Sequence, residues 1–546
     1  MTYCIALDIG TSGLRAQLLE TESGKTVATS ITARHPIPGM NVIDHVNYAM
    51  TSGRDVASGL LITAINSLFS SFEADLSKVK VVAVCGNPFQ LSLFQNIEIR
   101  DLAYAGKNML KSLGVVSPPR DGDIVKASEL GLKGMPDAVV MIPPAVTHEI
   151  GADAIAMLLV TNVLDSKEPC IVVDYGTNAE MALVVNGNVY TGSAAAGPAL
   201  EGQQIEKGML AAPGAIADVN IRKNGWECTV LDESMKDNKG DVVDPIKGNI
   251  SEKGTMHGKA KGITGTGVVA SIFCGIETGI ITPPKISSPD GMLHLQDGIN
   301  ISSKDIDEAG KAIGALRAGF LTLLLEAGIW TNDIKVAYMS GASGLYVDAK
   351  KALRIGMVVP GAEKIIQFGN TSIELARRLA MGKADLESLR EFAKRLRATH
   401  CMFATAQAFK DIYSIEYSLW CQGMPASEYN NMMVDVYNLP PIPDSASDPE
   451  VIRKSMTDLP DTENTRIRIL ENAGTVLTGE IEGCTECGSC VEECPEDAIS
   501  IVRKGEAAYG EIQSDRCAGT ACRRCERICP EGVLKITPFS IADHSS

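Results

Sequence analysis

The sequence predicts an α/β chain built as two related lobes, followed by a small α+β module rich in cysteine. Three observations predict it. The first ~420 of the 546 residues alternate short apolar strands with helical stretches at Gly-rich joints, the pattern of sheets covered by helices. One strand–turn–strand unit recurs: Asp8-x-Gly10-Thr11-Ser12 aligns with Asp174-x-Gly176-Thr177-Asn178 at an offset of 166, and Ala16 and Ala182 fall at the same offset. Eight of the fifteen cysteines lie near the C-terminal end in two runs, Cys484-x2-Cys487-x2-Cys490-x3-Cys494-Pro495 and Cys517-x4-Cys522-x2-Cys525-x3-Cys529-Pro530.

Taken in order, YCIALDIG (3–10) is an apolar strand running into Gly, followed by RAQLLE (15–20), a TESG turn and KTVATSITAR (25–34), together a small antiparallel meander. KVVAVCG (80–86) reads as a buried strand. AIAMLLVTNVL (154–164) and FLTLLLEAGIW (320–330) have the length of buried helices, well short of the ~18 apolar residues of a membrane span. CIVVDYG (170–176) is again a strand, followed by EMALVV, an Asn186–Gly187 hairpin turn and NVYTGS. IKVAYMSG (334–341) is a further strand ending in Gly. From about 425 to 470 the chain turns rich in Pro, Asp and Ser, as in NLPPIPDSASDPE, and reads as a linker or crossover. The lobes are expected at about 1–165 and 166–424, and the cysteine-rich module at 471–546.

Composition excludes several function classes. The hydrophobic fraction of 45% supports large cores, and a net charge of −17 argues against nucleic acid and anionic membrane as partners. MTYCIALDIG enters a strand at once and carries no targeting signal, so the expected location is cytoplasmic.

The cysteine spacing is that of two [4Fe–4S] clusters in a bacterial-type ferredoxin. Disulfides need an oxidising compartment, and zinc sites favour paired C-x2-C knuckles set further apart. In such two-cluster modules the cysteine before Pro serves the other cluster. One cluster is therefore assigned to Cys484, Cys487, Cys490 and Cys529, the other to Cys517, Cys522, Cys525 and Cys494. The runs form an internal repeat at an offset of 35, with PEDAISI (495–501) answering PEGVLKI (530–536). Two extra residues after Cys517 predict a wider loop there. Glu486, Glu492, Glu493, Glu496 and Asp497 surround the first run without a Lys or Arg, whereas Arg516, Arg523, Arg524 and Arg527 attend the second. Negative surroundings disfavour an added electron, so the first cluster is expected to be the more reducing.

The two Asp-x-Gly-Thr turns suit a nucleotide triphosphate. Glycine lets backbone N–H groups approach phosphate oxygens, and Thr11, Ser12, Thr177 and Asn178 add donors. Asp8 and Asp174 would face a Mg²⁺ ion, largely through its waters. Glu180 is a candidate for orienting a water on the γ-phosphate. Small residues after a strand at Gly341, Ala342, Ser343 and Gly344 would let adenosine lie against the backbone. Gly24-Lys25-Thr26 resembles the end of a P-loop, but Leu19 stands where that loop needs Gly.

With these pieces in this order, the chain resembles the acetate kinase/sugar kinase/Hsp70/actin superfamily. That implies a two-lobed actin/Hsp70-like ATPase with a C-terminal 2[4Fe–4S] ferredoxin domain, binding ATP and Mg²⁺. GADAIA (151–156), DYGTNAE (174–180), GMLAAPGAI (208–216), GITGTGVV (262–269) and ALRIGMVVP (352–360) are similar to one branch, the ATP-dependent reductive activators of corrinoid proteins. A C-terminal two-cluster module is the layout of those serving methylamine methyltransferase systems. The resemblance implies reduction of inactive Co(II) corrinoid to Co(I) on a partner corrinoid protein, fed by a low-potential electron donor. No D-x-H-x-x-G run occurs, so the corrinoid is expected on the partner. Where the branch would have Asn-Gly-Glu, Asn178-Ala179-Glu180 stands, and Ala179 is expected to narrow the freedom of that turn. An activator of a radical dehydratase, a small-molecule kinase with a regulatory ferredoxin domain and a redox-sensing binding module remain open alternatives.

Overall fold

The computed structural model describes the chain except residues 40, 105–106, 177, 195–197, 203, 438–440, 442–447, 463–464, 466 and 543–546. The chain divides into two compact units: residues 1–156, 372–397 and 461–546 form one, and 157–371 with 398–460 the other.

The first unit is organised on a sheet whose central strand is β1 (Tyr3–Ile9). β1 pairs antiparallel with β2 (Leu14–Glu20), which pairs antiparallel with β3 (Thr26–Thr32). On its other side β1 runs parallel to β4 (Val79–Gly86). β5 (Asp123–Lys126) and β6 (Val139–Ile142) complete that flank, β6 parallel to β4 and β5 antiparallel to β6. Ile5, Leu7 and Ile9 are fully buried alongside Cys4 and Ala6, because helices cover the sheet and leave no solvent face to alternate toward. Helix α1 (Val42–Ser52) starts where Asn41 accepts the Asp44 N–H, and α2 (Arg54–Ser70) follows Gly53 to pack on β2 and β3. Helix α3 (Pro88–Phe94) follows β4 and combines an Asn87 cap with Pro at its first position.

The second unit repeats the meander. β7 (Cys170–Tyr175), β8 (Ala179–Val185) and β9 (Asn188–Ala194) are antiparallel neighbours. Asn186 and Gly187 both adopt positive φ, as a two-residue hairpin turn requires. Parallel strands Val336–Ser340, Lys364–Gln367 and Glu450–Arg453 extend the sheet from β7. Both sheets therefore carry an antiparallel meander flanked by parallel strands, the topological form of the repeated sequence unit. Helix Ser303–Ala327, closed by a Ser302/Asp305 capping box and Gly328, packs with helix Gln407–Cys421 over β8 and β9. A separate five-stranded sheet lies within residues 215–263.

Two sequence expectations meet a different division of the chain. The 425–470 stretch is more than a connector: Glu450–Arg453 is an edge strand of the second unit's sheet, and Ile467–Leu470 pairs with β3 in the first. The cysteine-rich module, on a four-stranded sheet of Ile499–Lys504, Ala507–Gln513, Val476–Glu480 and Ser540–Ile541, belongs to the first unit.

Candidate functional site

The first turn joins β1 to β2. Asp8 is buried one residue before the end of β1, with Arg15 on β2 as its register partner and a guanidinium–carboxylate distance of 3.4 Å. Gly10 sits in a tight place: a Cβ there would lie 3.1 Å from both Arg15 Nη1 and the Gly13 carbonyl, so a side chain would have to displace its neighbours slightly. Thr11 Oγ1 accepts a hydrogen bond from Asn87 Nδ2 at 3.2 Å, and Ser12 follows it in the turn. The backbone of Leu14 is tied to Thr32 Oγ1 at 2.9 Å, which fixes the far end of the turn.

The structure adds a residue that sequence reasoning missed. Asp153, at the start of helix Ala152–Val160, neighbours Asp8. Burial pushes its carboxyl up to about 6, and the negative charge of Asp8 adds to the effect. Two carboxylates that feel each other's charge are the hard oxygen donors that Mg²⁺ takes, directly or through water, and a cation relieves their repulsion. The available signal was an acid in the first turn of an otherwise apolar helix, inside the GADAIA string.

In the second unit Asp174 lies one residue before the end of β7, paired in register with Glu180 on β8. Glu180 is buried and accepts from Ser193 Oγ on β9 at 3.4 Å. Thr177 lies outside the described residues; Gly176 and Asn178 flank it, with the Asn178 carbonyl 3.3 Å from where a Gly176 Cβ would sit. Ala179 is already a buried residue of β8 and has no positive φ. Its methyl group therefore imposes no backbone strain where it stands. Gly341 meets this turn directly: at φ +81°, a Cβ would lie 2.4 Å from Asp174 Oδ1. Ala342, Ser343 and Gly344 continue in helix Gly341–Tyr346, and the Gly344 carbonyl accepts from Gln367 Nε2 at 2.7 Å. The second turn and the Gly-Ala-Ser-Gly segment are thus one site, while the first turn belongs to the other unit.

The eight C-terminal cysteines line two cavities. Cys484, Cys487, Cys490 and Cys529 surround one, walled by Ile481, Ile501, Val533 and Leu534. Cys494, Cys517, Cys522 and Cys525 surround the other, walled by Ala498, Ile499, Ile512 and Ile536. Each run thus lends its last cysteine to the other's cavity. Backbone N–H groups of Glu486, Ala498 and Gly519 donate to the sulfurs of Cys484, Cys494 and Cys517 at 3.3–3.4 Å. The donor set fits a thiolate-ligated iron–sulfur cube, whose sulfur charge such N–H groups stabilise. Burial pushes the free thiols of Cys517 and Cys525 up to about 11 and about 12, a preference for the protonated form that ligation to iron reverses.

The repeat is visible in the backbone. Gly488 and Arg523, equivalent at the offset of 35, both take left-handed conformations and each starts a short helix. The two extra residues after Cys517 are absorbed by a helical turn, Gly519–Cys522. The acidity of the first run is partly compensated from outside it: Glu496 pairs with Arg34 at 2.7 Å and Glu486 with Arg503 at 3.1 Å. At the second site Arg527 donates to the Cys522 carbonyl at 2.6 Å.

Comparison with known proteins bears on this arrangement. Family models described as RACo middle region and as C-terminal domain of RACo, the ASKHA domain, match residues 3–166 and 168–430, and a 4Fe-4S dicluster domain model matches residues 483–533. The chain is 47% identical over 521 residues, 95% of its length and 96% of the other's, to the [Co(II) methylated amine-specific corrinoid protein] reductase of Methanosarcina barkeri. It is 25% identical over 368 residues, 65% of its length and 60% of the other's, to the corrinoid activation enzyme RamQ of Eubacterium limosum. A solved structure titled reductive activator for corrinoid,iron-sulfur protein shares the fold, with a TM-score of 0.60 at 23% identity over 76% of this chain and 66% of that one. With close to half of all positions identical along nearly the full length of both proteins, the chain belongs to the family of corrinoid-protein reductive activators.

Proposed function

We propose that this protein uses ATP to drive reduction of inactive Co(II) corrinoid to Co(I) on a partner corrinoid protein of a methylamine methyltransferase system. The observation that supports it most is the gathering of eight cysteines into two four-cysteine cavities within the same compact unit as the Asp8–Ser12 turn. Two [4Fe–4S] clusters held there would carry single electrons from a low-potential donor.

The chain's own residues divide the remaining work. Gly10, Thr11 and Ser12, and likewise Gly176 and Asn178, offer small backbone and short donors for phosphate oxygens. Asp8 with Asp153, and Asp174 in the other unit, supply carboxylates for Mg²⁺. Gly341 to Gly344 give adenosine a flat backbone surface. Glu180 is held by Ser193 with its carboxylate beside Asp174, where it can accept a proton from a water. ATP can drive an unfavourable electron transfer only by binding two conformations of the protein with different affinity. Among the described residues no helix is long and apolar enough to cross a membrane.

The test mixes the full-length, iron- and sulfide-reconstituted protein with a Co(II) methylamine corrinoid protein and a low-potential reductant, with and without Mg-ATP, and follows cobalt by its visible spectrum. The expected result is Co(I) only with ATP, lost in Asp8→Ala and Asp174→Ala. Reduction without ATP, or full ATP dependence in either variant, would overturn the proposal.

A further inference from the structure

The connection between β3 and α1 grips the second cysteine site. The Gly39 N–H donates to the Cys517 carbonyl at 3.0 Å, and Ser514 Oγ donates to the Pro36 carbonyl at 2.7 Å. Gly519 approaches so closely that a Cβ would lie 3.1 Å from the Pro38 carbonyl oxygen. Helix α1 packs against the Gly519–Cys522 turn.

The same connection is tied to the first phosphate turn by a buried polar chain. His35 stacks on His45 with ring centroids 4.2 Å apart. His45 Nδ1 lies 3.0 Å from Gln90 Nε2. The Gln90 N–H donates to Asn87 Oδ1 at 2.9 Å, which leaves Asn87 Nδ2 as the donor to Thr11 Oγ1 at 3.2 Å. Asn87, Gln90, His35 and His45 are all buried, Gln90 and His45 completely. Burial keeps both imidazoles neutral, so His45 Nδ1 accepts from the Gln90 amide and Ile37 N–H donates to His35 Nδ1 at 3.2 Å. Apolar side chains would fill this space without the desolvation penalty of four polar ones, so packing alone does not account for the choice.

We infer that Asn87, Gln90, His45 and His35 are positioning residues that couple occupancy of the Thr11 turn to the backbone holding Cys517. The inference rests on the ATP reading above and deepens it by naming the connection through which nucleotide reaches a cluster. With its oxygen held by Asn87, the Thr11 hydroxyl has its hydrogen available for a phosphate oxygen, and a shift of Thr11 is passed through three hydrogen bonds to His45 and then through the ring stack to His35. Because coupling between two equilibria is reciprocal, reduction of the second cluster must change nucleotide affinity by the factor through which nucleotide changes reduction.

The experiment uses the full-length, cluster-loaded protein and the non-hydrolysable analogue adenylyl imidodiphosphate. Its affinity is measured by calorimetry on oxidised and dithionite-reduced protein, and the cluster signals are titrated by electron paramagnetic resonance with and without it. The wild type is expected to show a redox-dependent affinity difference of at least about fivefold. In Gln90→Met and in His45→Phe, which keeps the stacked ring, the difference disappears while iron content and oxidised-state affinity persist. His45→Asn, whose amide oxygen can replace the Nδ1 acceptor, restores it. Amide exchange of residues 33–41 and 514–522 in the wild type, expected to change on adding the analogue, gives a readout that needs no variant. An unchanged exchange pattern there, no affinity difference in the wild type, or full coupling in both variants would overturn the inference. If ATP-dependent Co(I) formation survives such a result, only this connection is wrong; if the wild type binds no nucleotide, the functional reading itself falls.

Discussion

Gly341→Ala is the sharpest test of the nucleotide site in the second unit. At φ +81° an L-residue sits in the left-handed region, a penalty of about 1–2 kcal/mol. The new methyl carbon would also lie 2.4 Å from Asp174 Oδ1 and 3.2 Å from the Tyr175 carbonyl. A contact below 3 Å must be relieved, so either the Asp174 carboxylate or the Gly341 backbone shifts. Overpacking of this kind adds about 1–3 kcal/mol. If half of the combined effect falls on the bound state, nucleotide affinity drops by roughly five- to seventyfold. Gly328 provides the control. It closes helix Ser303–Ala327 at φ +68°, with nothing within 4 Å of an added Cβ. Gly328→Ala therefore carries the left-handed penalty without a contact at Asp174, and should lose stability yet bind nucleotide within about threefold of the wild type. Calorimetric titration with Mg-ATP, alongside thermal unfolding to separate binding from folding, measures both. Wild-type affinity in Gly341→Ala, or an equal loss in Gly328→Ala, would refute the assignment of Asp174 and Gly341 to one site.

Further outcomes follow from other parts of the molecule. Asp153→Asn should weaken Mg-ATP binding yet raise unfolding stability at pH 7 by roughly 1–3 kcal/mol, because the raised carboxyl is ionised there at the expense of the fold; thermal unfolding and calorimetry separate the two. His45, with a pKa lowered from 6.5 to about 3, takes up its proton more readily when unfolded, so stability is full above pH 6.5 and falls below it, by about 1 kcal/mol at pH 5.5. Unfolding of the wild type and of His45→Phe from pH 7.5 to 5.5 should differ by that slope. Cys494→Ser should leave the same residual cluster spectrum as Cys517→Ser, and Cys529→Ser the same as Cys484→Ser; pairing within each run instead would refute the exchange of fourth ligands. Arg527→Ala should lower the potential of the second cluster by at most about 40 mV, the one-electron equivalent of an exposed charge worth up to about 1 kcal/mol; an upward shift in a redox titration would refute an electrostatic role.

The parts legible in the sequence were those written locally. The Asn186–Gly187 turn needs positive φ at two successive residues, which few residue types tolerate, so the hairpin was readable from two letters. The cysteine repeat was readable because ligand spacing is set by loops of two or three residues. The repeated Asp-x-Gly-Thr turn foretold the repeated meander for the same reason. What escaped depends on pairing across long separations. Ile467–Leu470 pairs with β3 more than 430 residues earlier, and nothing in a four-residue strand names its neighbour. Asp153 hid in an apolar helix because only the folded sheet brings it to Asp8. The external partners of the first run were invisible too: Arg34 and Arg503 lie outside the window in which its charge was counted. Their pairing weakens the acidic bias expected there, so the contrast between the two sites rests more on Arg527 and its neighbours than on Glu486 and Glu496.

A ferredoxin needs no nucleotide, and its fusion to an ATPase is informative only if nucleotide can reach a cluster. For one electron, each ~59 mV uphill lowers the equilibrium constant tenfold, and ATP can offset that only through a conformation it binds preferentially. The cysteine-rich module could have been a separate domain on a flexible tether, in which case nucleotide would change only how often a cluster meets its acceptor. Instead it shares a compact unit with the Asp8–Ser12 turn and is fastened to the β3–α1 connection at Cys517, Ser514 and Gly519. The Asp8–Ser12 turn and the ligand backbone at the second site therefore lie within one compact unit. Under the coupling inferred above, a change at Thr11 would alter the surroundings of a cluster in addition to its delivery, and the redox potential itself would become a quantity that nucleotide can set.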